Sequence, residues 1–419
     1  MRKWSRRLAI GAGGAALLAG GGVMLARRPD RGGAHDQYFR ALSAALDEAG
    51  IAQPSLVIDR ARLNQNVDTV KRTLAGANLP LRVVVKSLPS HGLLNAIATR
   101  AEADRYMVFN GQMLGEMARA HPEADLLLGK PLPAAQAAHF LETAGEHPGP
   151  QWLIDTPHRL AQYREIARAR NRTIRVNFEL DVGMHRGGFA DTQALAASLR
   201  EAHEAPECEV SGLMGYDPHV PRVPNPDGAW RRSQEAYAAA IEATREIVGD
   251  PSRLTLNGAG SPTYTMHASR GTVANDISIG SAFAQPIGFD QPTLSEHVPA
   301  SFIATPVIKA LARTEVPGVE ALSGIFRFLD PNTARAFFIY GGHWMARPVS
   351  PPGLEFNGLM GRSSNQELLT GSDAVDLEAD DWIFFRPEQS EAVFLQFGDI
   401  LVYEDGAIIE RWPTFPVSA

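Results

Sequence analysis

Cysteine is almost missing from this 419-residue chain, because Cys208 is the single one. One cysteine cannot form a disulfide within the chain, so the fold depends on its core rather than on cross-links. Cys208 opens a candidate strand, where a cysteine is more often a small buried side chain than a nucleophile. The cysteine count therefore excludes a disulfide-stabilised scaffold.

An excess of positive charge is missing as well. The chain has 40 Lys and Arg against 47 Asp and Glu, which gives a formal net charge of -7. Basic and acidic residues are interspersed, whereas a nucleic-acid surface concentrates basic residues on one face. No nucleic-acid partner is therefore expected. The length favours two domains with sizeable cores.

A long uncharged run, from Leu8 to Ala26, lies near the N-terminus. Basic residues flank the run on both sides, namely Arg2, Lys3, Arg6, Arg7, Arg27, Arg28 and Arg31. This pattern predicts that residues 1–33 are a signal peptide or a membrane anchor. Ser5-Arg6-Arg7-Leu8 resembles a twin-arginine export signal. We expect a periplasmic or inner-membrane-anchored protein, with a cytoplasmic extension as the alternative.

From about residue 50, short apolar runs alternate with helical patterns, which is typical of βαβ units. The candidate strands are Leu81–Lys86, Arg105–Phe109, Asp125–Leu128, Gln151–Ile154, Ile174–Leu180, Cys208–Met214, Arg253–Leu256 and Asp276–Ile279. Eight such strands predict an α/β fold, a (β/α)8 barrel over residues 50–295. A doubly wound open sheet is the alternative, since alternation alone does not prove closure.

After about residue 296 the helical pattern becomes scarce, and Gly, Pro, Asn and Asp separate short apolar runs. The candidate strands here are Val307–Arg313, Arg335–Tyr340, Asp381–Arg386, Ala392–Phe397 and Ile400–Tyr403. Residues 296–419 are therefore predicted to form a second, mostly β domain.

Polar residues follow several of the barrel strands. Lys86 closes an apolar run, Tyr216 follows the sixth strand, and the small residues Gly258, Ala259, Gly260 and Ser261 follow the seventh. Catalytic groups of such barrels lie at these strand ends, and the loops after strands seven and eight often bind phosphate. Burial favours the neutral, nucleophilic form of a lysine amine. Arg186 is expected to face an anionic oxygen, to pair with Asp181, or to do both.

Several motifs in order resemble one family, the fold-type III pyridoxal 5′-phosphate (PLP) enzymes. They are Pro54-Ser55-Leu56-Val57-Ile58-Asp59, Val84-Val85-Lys86, the segment from Asp181 to Gly188, Gly212-Leu213-Met214-Gly215-Tyr216, and the segment from Asn257 to Thr263. The resemblance implies that Lys86 holds PLP as a Schiff base and that Arg186 contacts its phenolic oxygen. It also implies that Tyr216 and the loop from Gly258 to Ser261 bind the cofactor.

Within that family the sequence is most similar to the D-threonine aldolase and D-serine dehydratase group. The resemblance therefore implies a lyase acting on D-amino acids. An amino-acid racemase and a PLP-binding protein without turnover are the alternatives. It also implies a homodimer in which the β domain of one chain covers the barrel mouth of the other.

One departure concerns metal. The aldolase and dehydratase group holds a divalent cation with a His-x-Cys or His-x-Asp pair, and here Gln389 and Glu391 stand at those positions. An amide is a poor substitute for imidazole, so no metal site is expected. His343 is then the candidate catalytic base or a metal ligand, with a structural histidine as the alternative.

Overall fold

The structure is a computed structural model that describes residues 27–145, 147–315, 318, 320–358 and 361–417. Residues 1–26, the main part of the predicted signal or anchor segment 1–33, lie outside these ranges. Among the helices within them, none is long and apolar enough to cross a membrane.

The chain divides into two compact units that interleave along the sequence. The barrel unit comprises Ile58–Ser301, Glu388–Glu404 and the residues from Ile409 onward. The other unit comprises the residues up to Val57, Phe302–Pro387 and Asp405–Ile408. Residues 388–404 therefore belong with the barrel, although they follow most of the other unit in sequence.

The barrel strands follow a first helix, α1 (Gln37–Glu48), and a first strand, β1 (Ser55–Asp59). They are β2 (Leu81–Val84), β3 (Arg105–Val108), β4 (Asp125–Leu128), β5 (Gln151–Ile154), β6 (Ile174–Leu180), β7 (Cys208–Gly215), β8 (Thr255–Gly258) and β9 (Asp276–Ile279). The accompanying helices are α2 (Arg60–Gly76), α3 (His91–Ala101), α4 (Gly111–Ala120), α5 (Ala134–Thr143), α6 (Pro157–Ala169), α7 (Thr192–His203), α8 (Pro226–Val248), α9 (Tyr264–Arg270) and α10 (Ser281–Ala284).

All eight strands pair in parallel, and β2 pairs with β9 to close the barrel. The predicted (β/α)8 barrel is confirmed, and the alternative of an open sheet is wrong. Local signals start its helices: Asn110 accepts a hydrogen bond from the backbone N–H of Met113, and Asp191 accepts from the N–H groups of Gln193 and Ala194. Such caps satisfy backbone donors that a helix leaves unpaired at its start.

The interior of the barrel carries a polar layer at the starting ends of the strands. Arg82 is fully buried, and its guanidinium contacts Asp276 (Nε to Oδ2, 2.6 Å) and Asp125 (Nη2 to Oδ2, 2.5 Å). Gln151 donates to both carboxylate oxygens of Asp125, at 3.1 and 3.0 Å. Because a buried charge is costly unless it is paired and hydrogen-bonded, this network has to be complete to be tolerated.

The other unit is built on antiparallel strands. They are β10 (Ser301–Leu311), β11 (Arg335–Tyr340), β12 (Ala346–Ser350), β13 (Glu355–Phe356), β14 (Gln366–Gly371) and β15 (Trp382–Pro387), with helix α11 (Ser323–Leu329) between β10 and β11. Their order is β13-β14-β11-β10-β15-β12. The prediction of a separate, mostly β domain is confirmed.

The last elements of the chain are α12 (Ser390–Val393), β16 (Asp399–Glu404) and β17 (Ala407–Pro413). The predicted strand Ala392–Phe397 is wrong, because this stretch forms α12 and a 3-10 turn, Phe394–Gln396. Val393 and Phe394 are both fully buried. Adjacent residues of a strand point to opposite faces, whereas a helical turn can direct both into one core.

Candidate active site at the barrel mouth

A cavity of about 580 Å³ opens at the carboxyl ends of the barrel strands. Its wall includes the strand-end residues Val84, Met107, Met214, Asn257 and Ser278. Loops add Lys86, Arg186, Tyr216, Ala259, Gly260 and Ser261, so the cavity gathers six of the seven predicted barrel residues. This is the end of the barrel at which enzymes of this architecture carry their active sites.

Lys86 lies in a 3-10 turn, Val85–Ser87, just after β2. The prediction that Lys86 ends the strand is therefore wrong by two residues, because the chain turns at Val85, whose carbonyl accepts from the N–H of Leu88. The Lys86 side chain is 36% exposed, and its Nζ lies 4.8 Å from the ring centre of Phe109. Nζ also lies 3.4 Å from Oε1 of Glu391. The amine is thus held at the cavity wall by an aromatic face and a carboxylate.

Arg186 lies over the ring of Tyr216, with its Cζ 4.7 Å from the ring centre. A guanidinium at this distance is attracted by the negative face of the ring. Nη2 of Arg186 lies 3.8 Å from Oε1 of Glu179. Burial raises the pKa of the Tyr216 hydroxyl and that of the Glu179 carboxyl. The positive charge of Arg186 opposes both shifts. The guanidinium is therefore oriented by these two side chains and still lines the cavity.

The alternative pairing of Arg186 with Asp181 is wrong. Asp181 instead accepts hydrogen bonds from the backbone N–H groups of Gly183 (3.0 Å) and His185 (2.9 Å), and its Oδ2 lies 2.8 Å from Nδ1 of His185. Although burial opposes it, these hydrogen bonds lower the pKa of Asp181. The hydrogen bonds to Asp181 thus fold the loop that presents Arg186.

Gly188 is required for this loop to return to the barrel. Its φ is +87°, and a Cβ there would lie 2.7 Å from the carbonyl oxygen of Glu179. The following residue, Phe189, donates its backbone N–H to that same carbonyl at 2.8 Å. A glycine accepts both the left-handed conformation and the close approach.

The loop after β8 supplies the predicted phosphate site. Within the part of the chain that the structure describes, the backbone N–H groups of Gly260 and Ser261 donate no hydrogen bond. Oγ of Ser261 accepts from the N–H groups of Ala282 (3.0 Å) and Gly280 (3.3 Å), which ties this loop to the one after β9. Free amides in a small-residue loop suit an anion.

Gly258 is placed differently from the other predicted residues of this loop. It is the last residue of β8, because that strand begins two residues later than predicted, after a 3-10 turn at Pro251–Arg253. A Cβ at Gly258 would lie 3.0 Å from Cβ of Ala274 and 3.3 Å from Cε1 of His267. That side of Gly258 is therefore packed against protein.

Two buried networks that the sequence analysis missed support the cavity. Under the phosphate loop, Asp217 accepts from the Thr263 hydroxyl at 2.7 Å and lies 2.9 Å from Nε2 of His267. In the cavity floor, Nδ2 of Asn257 donates to Asp276 at 2.6 Å. The only sequence signal was the position of these polar residues within or next to apolar strands.

Glu391 also lines the site; the sequence analysis named it only at the position of the family's metal pair and did not predict its contact with Lys86. A second cavity of about 1220 Å³ shares Lys86, Arg186 and Glu391 with the first. Its wall adds the charged residues Lys130, Asp155 and Glu179. Glu391 thus faces Lys86 at the junction of the two cavities.

His343 belongs to the other compact unit, and its proposed role as a base stays a prediction. It is exposed, with a φ of +58°, and its backbone N–H donates to Oε2 of Glu367 at 2.7 Å.

Among the described residues, no three His, Cys, Asp or Glu side chains form a group that could hold a metal ion. Burial raises the pKa of the Cys208 thiol to about 12, which disfavours the reactive thiolate.

Comparison with solved structures places the fold. D-threonine aldolase from Filomicrobium marinum has a TM-score of 0.68 and 19% identity, over 86% of this chain and 96% of that one. D-threo-3-hydroxyaspartate dehydratase from Delftia sp. HT23 has a TM-score of 0.69 and 17% identity, over 87% and 98%. An alanine racemase from Bacillus anthracis has a TM-score of 0.65 and 13% identity, over 86% and 98%.

No curated protein has a sequence that matches this chain significantly. The family model described as the N-terminal domain of alanine racemase, however, matches residues 58–283, which is more than half of the chain. Those residues contain all eight barrel strands and most of the residues that line the first cavity. The chain therefore belongs to the alanine racemase N-terminal domain family of fold-type III PLP enzymes.

Proposed function

We propose that this chain binds PLP and acts on amino acids as a lyase for D-amino acids that carry a hydroxyl at Cβ. One observation carries the proposal: three kinds of group line one cavity. They are the Lys86 amine, the Arg186 guanidinium and the free backbone amides of the loop after β8. These groups come from three separate strand-to-helix connections, so their meeting is a property of the fold.

The donors in the cavity suit PLP. An aldehyde needs an amine, which Lys86 provides, and a phosphate needs several N–H or O–H donors, which Gly260, Ser261 and Ser281 offer. An anionic ring oxygen needs a cation, and Arg186 presents one at the same wall. Lys86, Arg186 and the loop after β8 would therefore hold the cofactor.

When bound, PLP supplies an electron sink that makes the Cα proton of an attached amino acid acidic. The chain supplies the proton transfers. Lys86 is the amine at the cavity wall that would remove and return a proton at Cα. Arg186 would place a positive charge beside the ring oxygen. The rings of Phe109 and Tyr216 contact the Lys86 amine and the Arg186 guanidinium.

The substrate class is inferred from the solved relatives. One acts on D-threonine and another on D-threo-3-hydroxyaspartate, according to their names, and both of these compounds are D-amino acids with a hydroxyl at Cβ. Since identity is below 20% in both cases, the likeness supports the proposal only through the shared fold.

A racemase is the second candidate, and the donor chemistry at residues 389 and 391 favours it. Gln389 is exposed and Glu391 faces Lys86, so this segment offers neither imidazole nor thiolate to a cation. A reaction that leaves the β-hydroxyl alone would need no such ligand.

A substrate panel tests these proposals. The purified full-length chain, loaded with PLP, is incubated with D- and L-amino acids with and without a Cβ hydroxyl. Release of a keto acid or an aldehyde from the D-hydroxy compounds supports the lyase. Exchange of enantiomers without release supports the racemase instead. Bound PLP with neither reaction contradicts both and leaves a binding protein.

A further inference from the structure

The ion pair between Glu391 and Lys86 is a feature of the site that the family resemblance did not predict. Oε1 of Glu391 lies 3.4 Å from Nζ of Lys86, and both side chains line both cavities. The helical turn α12 carries Glu391, and its neighbour Ser390 is fully buried. The carboxylate is therefore presented from an anchored turn and not from a free loop.

Lys86 is the one cation that pairs with Glu391 among the described residues. The second oxygen, Oε2, accepts a weak hydrogen bond from the Ser390 hydroxyl at 3.4 Å. Other charged groups line the two cavities, namely Lys130, Asp155, Glu179 and Arg186. Of these, Arg186 is directed to Glu179, which leaves Glu391 as the carboxylate that faces the Lys86 amine.

We propose that Glu391 is a positioning residue for Lys86, and that its carboxylate holds the Lys86 ammonium at the cavity wall. The proposal rests on the proposed function, because the position of this amine matters only if Lys86 bonds to the aldehyde of PLP. The contact itself belongs to the chain alone and can be tested without the cofactor.

The test is the rate at which Lys86 reacts with formaldehyde and cyanoborohydride as a function of pH. The full-length chain is first freed of carbonyl compounds with hydroxylamine. Methylation of each lysine is then measured by peptide mass spectrometry. Lys130 serves as an internal reference, since it lines the second cavity without pairing to Glu391.

In the Glu391→Gln variant we expect Lys86 to react about two- to fivefold faster near neutral pH, because the ammonium loses its partner, and the profile to move to lower pH. Such a modest factor is expected for a partly exposed ion pair, because both side chains are about a third exposed. Glu391→Ala should do the same, and Glu391→Asp should restore the wild-type profile. Asp399→Asn, which removes a charge elsewhere in the segment, should change nothing.

An unchanged Lys86 profile in both neutral variants would overturn the proposal, and so would an equal acceleration of Lys130. Failure of the proposed function has a different signature. The wild-type chain would then form no borohydride-stable adduct between PLP and Lys86, whatever the methylation rates.

Discussion

At the scale of single residues, Arg186 is the side chain whose role the geometry defines most narrowly. It is about half exposed, it lies over Tyr216, and its carboxylate neighbour Glu179 is 3.8 Å away. A guanidinium that stabilised the fold would be expected to have closer partners. Arg186 is therefore available to a ligand.

We expect Arg186→Ala to weaken PLP binding about 10- to 100-fold, the range expected for the loss of a hydrogen bond to a charged group. The apoprotein should melt within a few degrees of the wild type. Arg186→Lys should recover part of the affinity, since it keeps the charge without the planar fork. Spectroscopic titration with PLP and thermal melting measure the two effects. Unchanged PLP affinity together with a large loss of stability would instead assign Arg186 a structural role.

The sequence was informative about residues that follow apolar strands. Lys86, Arg186, Tyr216 and Ser261 were all predicted for the site, and the structure brings them to one cavity. The contact of Lys86 with Glu391 was not predicted, because it joins residues 305 positions apart. No local pattern predicts such a contact, since it depends on where residues 388–404 pack.

At the scale of elements, α9 is connected to the segment after β9 through a buried histidine. Nε2 of His297 lies 2.6 Å from the hydroxyl of Tyr264, the first residue of α9. Burial lowers the pKa of His297 from 6.5 to about 4. The folded state therefore keeps this imidazole neutral at pH values where the unfolded chain protonates it.

The sign follows from that difference. Above pH 6.5 both states are neutral at His297, so it imposes no pH dependence there. Between about pH 6.5 and 4 the unfolded chain binds a proton that the folded chain does not, so the free energy of unfolding decreases as the pH is lowered. We expect a loss of about 2 kcal/mol from this residue between pH 7 and pH 5. Urea unfolding at both pH values measures it. His297→Gln should remove this pH-dependent part, and an identical loss in that variant would contradict the assignment.

The residues around α12 predict that activity does not require a bound metal ion. The sequence resemblance places Gln389 and Glu391 where the aldolase and dehydratase group has its metal-binding pair, and in the structure Glu391 pairs with Lys86. We therefore expect turnover of the PLP-loaded protein to be unchanged after EDTA treatment. Activity lost with EDTA and regained with Mn²⁺ or Zn²⁺ would reveal ligands that this account lacks.

Element prediction was most accurate in the barrel. Strands β4, β5, β6 and β9 have the predicted limits, because each is a short apolar run between clear helical patterns. The predicted strand Ala392–Phe397 was wrong for a related reason. A short apolar run without flanking periodicity fits a buried helical turn as well as a strand.

At the scale of the whole molecule, the family resemblance predicts a homodimer. Family members often are dimers, and a second chain would exclude water from the barrel mouth. We expect light scattering to give twice the mass of the chain at micromolar concentration. Full activity in a species of 45.3 kDa would contradict this prediction.

The central claim is that Lys86 carries PLP, and borohydride trapping tests it most directly. The purified protein is reduced with borohydride, digested and analysed by mass spectrometry. The account predicts a phosphopyridoxyl group on Lys86, loss of the yellow absorbance, and no adduct in Lys86→Ala. A trapped adduct that persists in Lys86→Ala, or one found on another lysine of the wild type, would contradict it.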